Sequence, residues 1–451
     1  MSKAIADTFL ARHPKIEHID LLLPDLNAVP RGKRIRAQDL HKIIADGILL
    51  PASVFALDIT GETVEETGIG IDIGDMDLPC NARPETLVPV PWQPHCGQMM
   101  LEMVDEDANP YFGDPRTVLR NITQRFHARG LKPVTAVELE FYLFDTTSLA
   151  QGEPLPPIAP KSGIRDEGTQ VYAIDNISEY EDFVTQVMEA TRQQGLPADA
   201  VVAEYAPGQF EVNLHHVDDP VAACDHAVLL KRVIRQVARR CGFMASFMAK
   251  PYIDNAGCGT HVHVSLNDEN GENVFAGDDE EGSPLLRQAI AGLLETMDES
   301  MALFAGNPNS FRRFSPNMYV PCSHVWGVNN RSTALRIPAG PLSATRIEHR
   351  VAGADANPYL VMAAVLMGID VGLVEQLTAP PPVEGNAYEQ FPPDVPDNLR
   401  DALRIFEKSP YIADYFGEQF QHIYTQNKWS ELYKFEQQIT PLEFQWYLTQ
   451  F

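Results

Sequence analysis

Cysteine is scarce in this 451-residue chain: Cys80, Cys96, Cys224, Cys241, Cys258 and Cys322 lie far apart and form no C-x-x-C pair. That spacing excludes a disulfide framework and a structural zinc site, and suits a reducing cytoplasm. Long apolar runs are lacking too. None approaches the roughly 20 residues needed to span a bilayer. The opening MSKAIADTFLARHPKIEHID scatters charge where a signal peptide would keep an apolar core. Basic residues are outnumbered, with 35 Lys+Arg against 62 Asp+Glu and a net charge of −27. Nucleic acid and anionic lipid would both want a basic face, so neither is an expected partner. A cationic small molecule would be drawn in. There is no GxxxxGK(S/T), no GxGxxG and no internal repeat, so neither a P-loop nor a Rossmann site is expected.

What is present is a globular composition, 44% hydrophobic and 22% charged, in a chain long enough for two domains. Helix signals are legible. Asp114-Pro115 opens a helix that Gly130 closes, Ser178 with Glu181 reads as a capping box for a helix ending at Gly195, and Asp219-Pro220 starts one running to Cys241-Gly242. Ser283-Pro284 and Asn357-Pro358 open two more, and Asp397 caps a further one. The runs AVELEFYLF, AVVAEYAPGQFEVNL, GTHVHVSL, TALRIP and TRIEHRV read as strands between them, so the region from about 107 onward is expected to alternate strands and helices. Before it, EHIDLLLPDL, GKRIRA and ILLPASVFALDI read as short strands with one short helix near 37–46, followed by a Pro-rich stretch over 77–95. The expectation is an α+β protein, with a small domain over 1–106 and a larger catalytic-type domain over 107–451. A second Pro-rich stretch, 378–398, reads as a surface loop.

The strand TAVELEFYLF puts Val137, Leu139, Phe141 and Leu143 on one face and Glu138 with Glu140 on the other. If that second face is buried, two adjacent carboxylates demand a proton or a cation. The same alternation recurs. His261, His263 and Ser265 share a face, as do Arg346, Glu348 and Arg350, and Glu204 and Glu211 flank a Pro-Gly turn that can bring them together. Glu138, Glu140, Glu204, Glu211, Glu348 and His261 form an oxygen-rich, thiolate-free donor set, which suits Mg²⁺ or Mn²⁺ in two sites of three. Arg313, Arg331, Arg336, Arg346 and Arg350 add guanidinium forks matched to phosphate and carboxylate. These residues point to a two-metal, phosphate-handling enzyme with an acidic substrate.

The motifs VELEFYLFD, EYAPGQFEVN, NAGCGTHVHVSL, NNRSTALRIP, TRIEHRVAGADANPYLVMAA and FEQQITPLEFQWYL resemble the type I glutamine synthetase family along nearly the whole chain. DLNAVPRGKRI, PASVFALDITG and RRFSPNMYVP bring it closest to the γ-glutamylputrescine (γ-glutamylpolyamine) synthetase branch. The resemblance implies an N-terminal β-grasp domain, a catalytic domain built on a curved antiparallel sheet with helices, and a homo-oligomer, a dodecamer with sites between subunits. It implies ATP-dependent joining of L-glutamate to a cationic amine through γ-glutamyl phosphate.

By motif position the resemblance gives one metal to Glu140, Glu204 and Glu211 and the other to Glu138, His261 and Glu348. It gives ATP to His263, Ser265, Arg336 and Arg346, and glutamate to Gly257, Arg313, Arg331 and Arg350, with Arg331 also catalytic. Asp25 would be the base, acting on a neighbouring subunit, and Tyr172, Glu204 and Tyr319 would join it around the amine. Tyr319 stands where glutamine synthetases that use ammonia carry a glutamate, and Ala256-Gly257 replaces an asparagine-glycine pair. The alternatives are an ammonia-using glutamine synthetase and a non-catalytic scaffold or sensor. The identity of the amine stays open.

Overall fold

The computed structural model describes residues 2–451. Helix α1 (Ser2–Arg12) precedes a five-stranded sheet of β1 (His18–Pro24), β2 (Pro30–Arg36), β3 (Ile48–Pro51), β4 (Asp77–Pro89) and β5 (Cys96–Met103), with α2 (Leu40–Asp46) between β2 and β3. The order is β2-β1-β5-β4-β3, with β1 parallel to β5 and antiparallel to β2. The central strand β5 is buried along its whole length, because CGQMMLEM is apolar on both faces except for Gln98 and Glu102.

The Pro-rich stretch over 77–95 departs from its loop-like composition, since most of it is β4. Pro84 falls in a register shift between Arg83 and Val88, where the ladder needs fewer donors, while Pro79 and Pro89 keep ladder positions opposite Leu49 and Gly97.

The second sheet is assembled from β6 (Lys132–Asp145), β7 (Ala198–Ala203), β8 (Gln209–Leu214), β9 (Phe243–Ser246), β10 (Thr260–Asn267), β11 (Trp326–Val328), β12 (Leu335–Ile337) and β13 (Ile347–His349). Its order is β11-β12-β13-β10-β6-β8-β7, with β9 on the far end of β6 and every pairing antiparallel except β11 with β12. Helices α3 (Pro115–His127), α4 (Thr146–Ala150), α5 (Ile174–Glu179), α6 (Glu181–Gln194), α7 (Pro220–Arg240), α8 (Pro284–Glu295) and α9 (Met297–Phe304) are interleaved with these strands. After β13 the alternation stops. Only α10 (Pro358–Glu375), α11 (Ala387–Gln390), α12 (Leu399–Phe406), α13 (Pro410–Phe416), α14 (Glu418–Glu436) and α15 (Pro441–Tyr447) follow. The architecture is α+β.

Four expected caps form: the side chains of Asp114, Asp219, Ser283 and Asn357 accept backbone N–H groups one or two residues into their helices. Two do not. Ser178 lies inside α5, donating to the Ile174 carbonyl, so α6 begins uncapped after Tyr180. Asn398, not Asp397, caps α12 by accepting from the Asp401 N–H.

Helix α10 is long and apolar enough to cross a membrane by length and composition, but 83% of that window is buried inside the protein. It packs on α8 by backbone contact: a Cβ on Gly292 would lie 2.1 Å from the Gly368 carbonyl oxygen, a distance only glycine allows.

A buried ionic cluster ties the first sheet to helices α3, α7 and α10. Glu102 of β5 meets Arg83, Arg116 and Arg120. Arg116 also holds Asp225 of α7 (2.7 Å), and Asp225 accepts from the Tyr359 hydroxyl of α10 (2.6 Å).

Candidate active site

The charged faces of the second sheet meet in one cavity of about 570 Å³. Register places them there. Glu138 stands opposite His261 on one side and Asn213 on the other, while Glu140 stands opposite Glu211. Glu348 stands opposite both His263 and Arg336. Val137, Leu139, Phe141 and Leu143 point the other way and are fully buried in the core, which fixes the carboxylates on the cavity side.

The cavity is polarised. At one end Glu138 Oε2 lies 3.2 Å from His261 Nδ1 and Glu138 Oε1 lies 2.9 Å from His263 Nε2. Burial raises the Glu138 pKa, but these two imidazoles outweigh it and hold the carboxyl well below the usual range. Arg346 Nε donates to His263 Nδ1 (3.2 Å), so the neutral His263 ring carries its proton on Nε2, facing Glu138. Glu348 accepts from Arg336 (2.7 Å) and from Arg350. Against the cost of burial, Arg350 first and then the histidines pull Glu348 down to about 2.

At the other end the carboxylates have mostly one another. Burial and then Glu140 push Glu204 up to about 7. Burial, Glu138, Glu140 and Glu204 push Glu211 well above its ordinary value, with the Asn213 amide donating to it at 3.2 Å. Glu140 accepts from the Gly259 N–H at 2.7 Å.

Carboxylates forced toward protonation by like charge are a vacancy for positive charge. Ligand atoms converge in two trios, Glu138–His261–Glu348 and Glu140–Glu211–His261, each within 4.8 Å of one another. With four carboxylates, one imidazole and no thiolate between them, these residues fit Mg²⁺ or Mn²⁺. The first trio coincides with one expected ligand set. The second differs from the other set, because His261 occupies the place expected for Glu204, which lines the same cavity without converging.

The remaining expected residues divide. Arg336, Arg346, Arg350, Arg313, Arg331, Gly257, Tyr172 and Tyr319 all line the cavity with the acidic groups. Arg313 is buried behind Gly257 and donates to the Val351 carbonyl (3.0 Å). A Cβ at Gly257 would come within 2.7 Å of Arg313 Cγ. Tyr172 and Tyr319 are 60% and 62% exposed, on rim loops with φ of 60° and 55°, a conformation uncommon for bulky residues and one that clusters at functional sites.

Ser265 is not among the lining residues. It follows His263 on β10, half-buried opposite Val134. Asp25 is not with them either. It is fully buried in the turn after β1, with Oδ2 paired to Arg31 (2.8 Å) and Oδ1 accepting the Asn27 and Val29 N–H groups (2.9 Å each). Both of its oxygens are engaged within its own loop. Tyr388 donates its hydroxyl to the Val320 carbonyl (2.9 Å).

Gln209 and Asn213 were not anticipated. They alternate with Glu211 on β8, and Gln209 donates to the Gly257 carbonyl (3.0 Å). The i, i+2 pattern of QFEVN carried that signal.

The family model described as "Glutamine synthetase, catalytic domain" matches residues 112–447. The chain is 47% identical to gamma-glutamylputrescine synthetase PuuA of Escherichia coli (strain K12) over 98% of this chain and 93% of that one. It is 31% identical to glutamate–isopropylamine ligase of a Pseudomonas species, over 93% of this chain and 92% of that one. The solved structure titled "Apo GmaS without ligand" superposes with a TM-score of 0.85 at 26% identity, covering 97% of this chain and 98% of that one.

Proposed function

Because the chain belongs to the glutamine synthetase family, we propose that it is an ATP-dependent ligase joining the γ-carboxylate of L-glutamate to a primary amine, putrescine foremost. The observation that carries this reading is the polarised cavity: paired acidic trios sharing His261, arginines against Glu348 and His263, and two tyrosines at the rim.

In the first step the glutamate γ-carboxylate attacks the γ-phosphorus of ATP, giving γ-glutamyl phosphate and ADP. His263, Arg336 and Arg346 would face the phosphates, with Ser265 further along the same strand toward the nucleotide. Arg346, already oriented by His263, would meet charge developing on the transferring group. Arg313, Arg350 and the Gly257 backbone would hold glutamate, with Arg331 at the rim acting on the reacting carboxylate. Divalent metal held by the trios supplies charge neutralisation and orientation of phosphate oxygens.

In the second step the amine displaces phosphate and the amide forms. An alkylammonium with a pKa near 10.4 arrives protonated and must lose that proton. Asp25 of a neighbouring subunit, its carboxyl pKa raised by burial, would accept it, with Glu204 lining the amine's approach. Tyr172 and Tyr319 would wall the alkyl chain, a cation–π face contributing about 0.5–2 kcal/mol. The reading extends to a domain division at residue 106, and to a cytoplasmic homo-oligomer, a dodecamer, in which Asp25 serves a neighbour's site.

The test is ADP release with putrescine, spermidine, cadaverine, agmatine, a monoamine and ammonia. The expected outcome is a kcat/KM for putrescine at least about tenfold above that for ammonia, about 1.4 kcal/mol of discrimination. Tyr319→Ala should lose mainly that preference. Ammonia used as well as the diamines would leave a glutamine synthetase and refute the amine assignment.

A further inference from the structure

The rim loop carrying Tyr319 is held by Arg350, which donates to the Tyr319 carbonyl (3.3 Å), and otherwise from its outgoing side. Its incoming limb, Ser315 to Met318, has no side-chain anchor: Ser315 makes a backbone bond to Arg313, and Asn317 adopts φ +66°. Its outgoing limb is pinned at successive residues. The Val320 carbonyl accepts from Tyr388, the Cys322 carbonyl accepts from the Asp394 N–H (3.0 Å), and the His324 N–H donates to Asp394 Oδ1 (3.0 Å). His324 then joins three parts of the fold. Its Nδ1 lies 2.7 Å from Asp394 Oδ1, in the Pro-rich segment, and its Nε2 lies 2.8 Å from Asp298 Oδ1, in the first turn of α9.

Carboxylate oxygens only accept, so a ring bonded to one at each nitrogen must donate from both, and must be an imidazolium. We propose that His324 is a positioning residue, a charged clasp that holds the Tyr319 loop over the cavity mouth and thereby sets the amine KM. The amine part rests on the function proposed above, while the loop anchoring does not.

The charged groups facing the ring agree with this state. Asp298 and Glu299 come from α9 and Asp394 from the Pro-rich segment, with Glu295 at the end of α8 acting on Glu299. Burial pulls the His324 pKa down, but hydrogen bonds and charge from Asp298 and Asp394 outweigh it, and the result is raised. The clasp is therefore complete at and below the ordinary histidine range and is lost as pH climbs through the raised folded value. Deprotonation would leave one carboxylate facing an imidazole lone pair. None of these groups touches the acidic trios.

Hydrogen exchange of the peptide spanning residues 315–323, corrected for intrinsic rates, reads the clasp directly. Charge-assisted bonds of this kind contribute about 1.5–3 kcal/mol, so His324→Gln and the milder Asp298→Asn should each exchange about tenfold faster or more in that peptide, with the rest of the protein unchanged. Wild-type protection should fall with rising pH, and the His324→Gln profile should be flat. A loop equally protected in both variants, or a His324→Gln profile that still follows the wild-type pH dependence, overturns the clasp. Kinetics separate the two layers. A raised KM for the amine with kcat and the ATP and glutamate KM values held supports both. A loosened loop with an unchanged amine KM keeps the anchor and overturns its role in amine binding.

Discussion

Replacing Glu204 with glutamine should stabilise the metal-free protein while abolishing its chemistry. In the absence of a cation, burial and Glu140 move this carboxyl from an ordinary 4.5 up to about 7. At about 1.36 kcal/mol per pH unit, that difference corresponds to roughly 3 kcal/mol lost once the group is forced to ionise. The native state holds a proton that the unfolded chain releases between 4.5 and about 7, so stability falls as pH rises through that window and levels off above it. Glu211, raised by burial and the same neighbours, acts in the same direction. A divalent cation offsets the repulsion, contributing about 2.7 kcal/mol at a hundredfold excess over its Kd.

Urea unfolding in chelator, at about pH 5.5 and about pH 8, measures these effects, and a repeat with excess Mg²⁺ or Mn²⁺ measures the offset. Wild type in chelator should be weaker at the higher pH. Glu204→Gln should exceed it there by up to about 3 kcal/mol and gain less from metal. A variant no more stable than wild type in chelator at pH 8, or wild-type stability that rises with pH, would refute the reasoning.

Two further outcomes are expected. Arg116→Met leaves Asp225 and part of Glu102 buried without their charged partner, and denaturation should register a loss of about 3–5 kcal/mol; an unchanged midpoint would remove the cluster's role in joining the first sheet to α3, α7 and α10. Gly257→Ala drives a methyl into Arg313, so the KM for glutamate should rise about tenfold while that for ATP holds, and equal shifts in both would deny Arg313 a glutamate-specific place.

Much of this site was legible because alternation in a strand is a local property. Glu138 with Glu140, His261 with His263, and Arg346 with Glu348 could each be assigned to a face from their spacing alone. Register was not legible: nothing within VELEF says that Glu138 will stand opposite His261 or Glu140 opposite Glu211. The surroundings of Asp25 were hidden for a related reason. A carboxylate in a loop motif shows its charge but not its partners, and here Arg31, Asn27 and Val29 take up both oxygens. Among the C-terminal helices α14 was missed because it mixes polar and aromatic residues around its circumference, whereas the Pro-led starts of α7, α8 and α10 announce themselves. The Pro-rich stretch that became β4 shows composition misleading when an irregular register relieves the ladder of donors.

The shared imidazole limits how the cavity can fill. His261 faces Glu138 and Glu348 through Nδ1, at 3.2 Å and 3.9 Å, and faces Glu140 through Nε2, at 3.9 Å. A neutral imidazole has one lone pair available, so it can complete only one trio at a time. If it serves Glu138 and Glu348, where Arg336 and Arg350 already balance part of the charge, the Glu140–Glu211 pair lacks a third donor. Glu204 is, among the described residues, the nearby carboxylate still without a cationic partner at contact distance, and burial together with like-charge repulsion from Glu140 holds it away from ionisation. Introducing a cation between them reverses the sign of that interaction, turning the group that metal-free geometry leaves out into the ligand the filled site requires. On this argument Glu204→Gln should weaken one metal-binding step and spare the other. Two distinguishable steps in a calorimetric titration of wild type, with only one of them weakened in the variant, is the pattern the geometry demands.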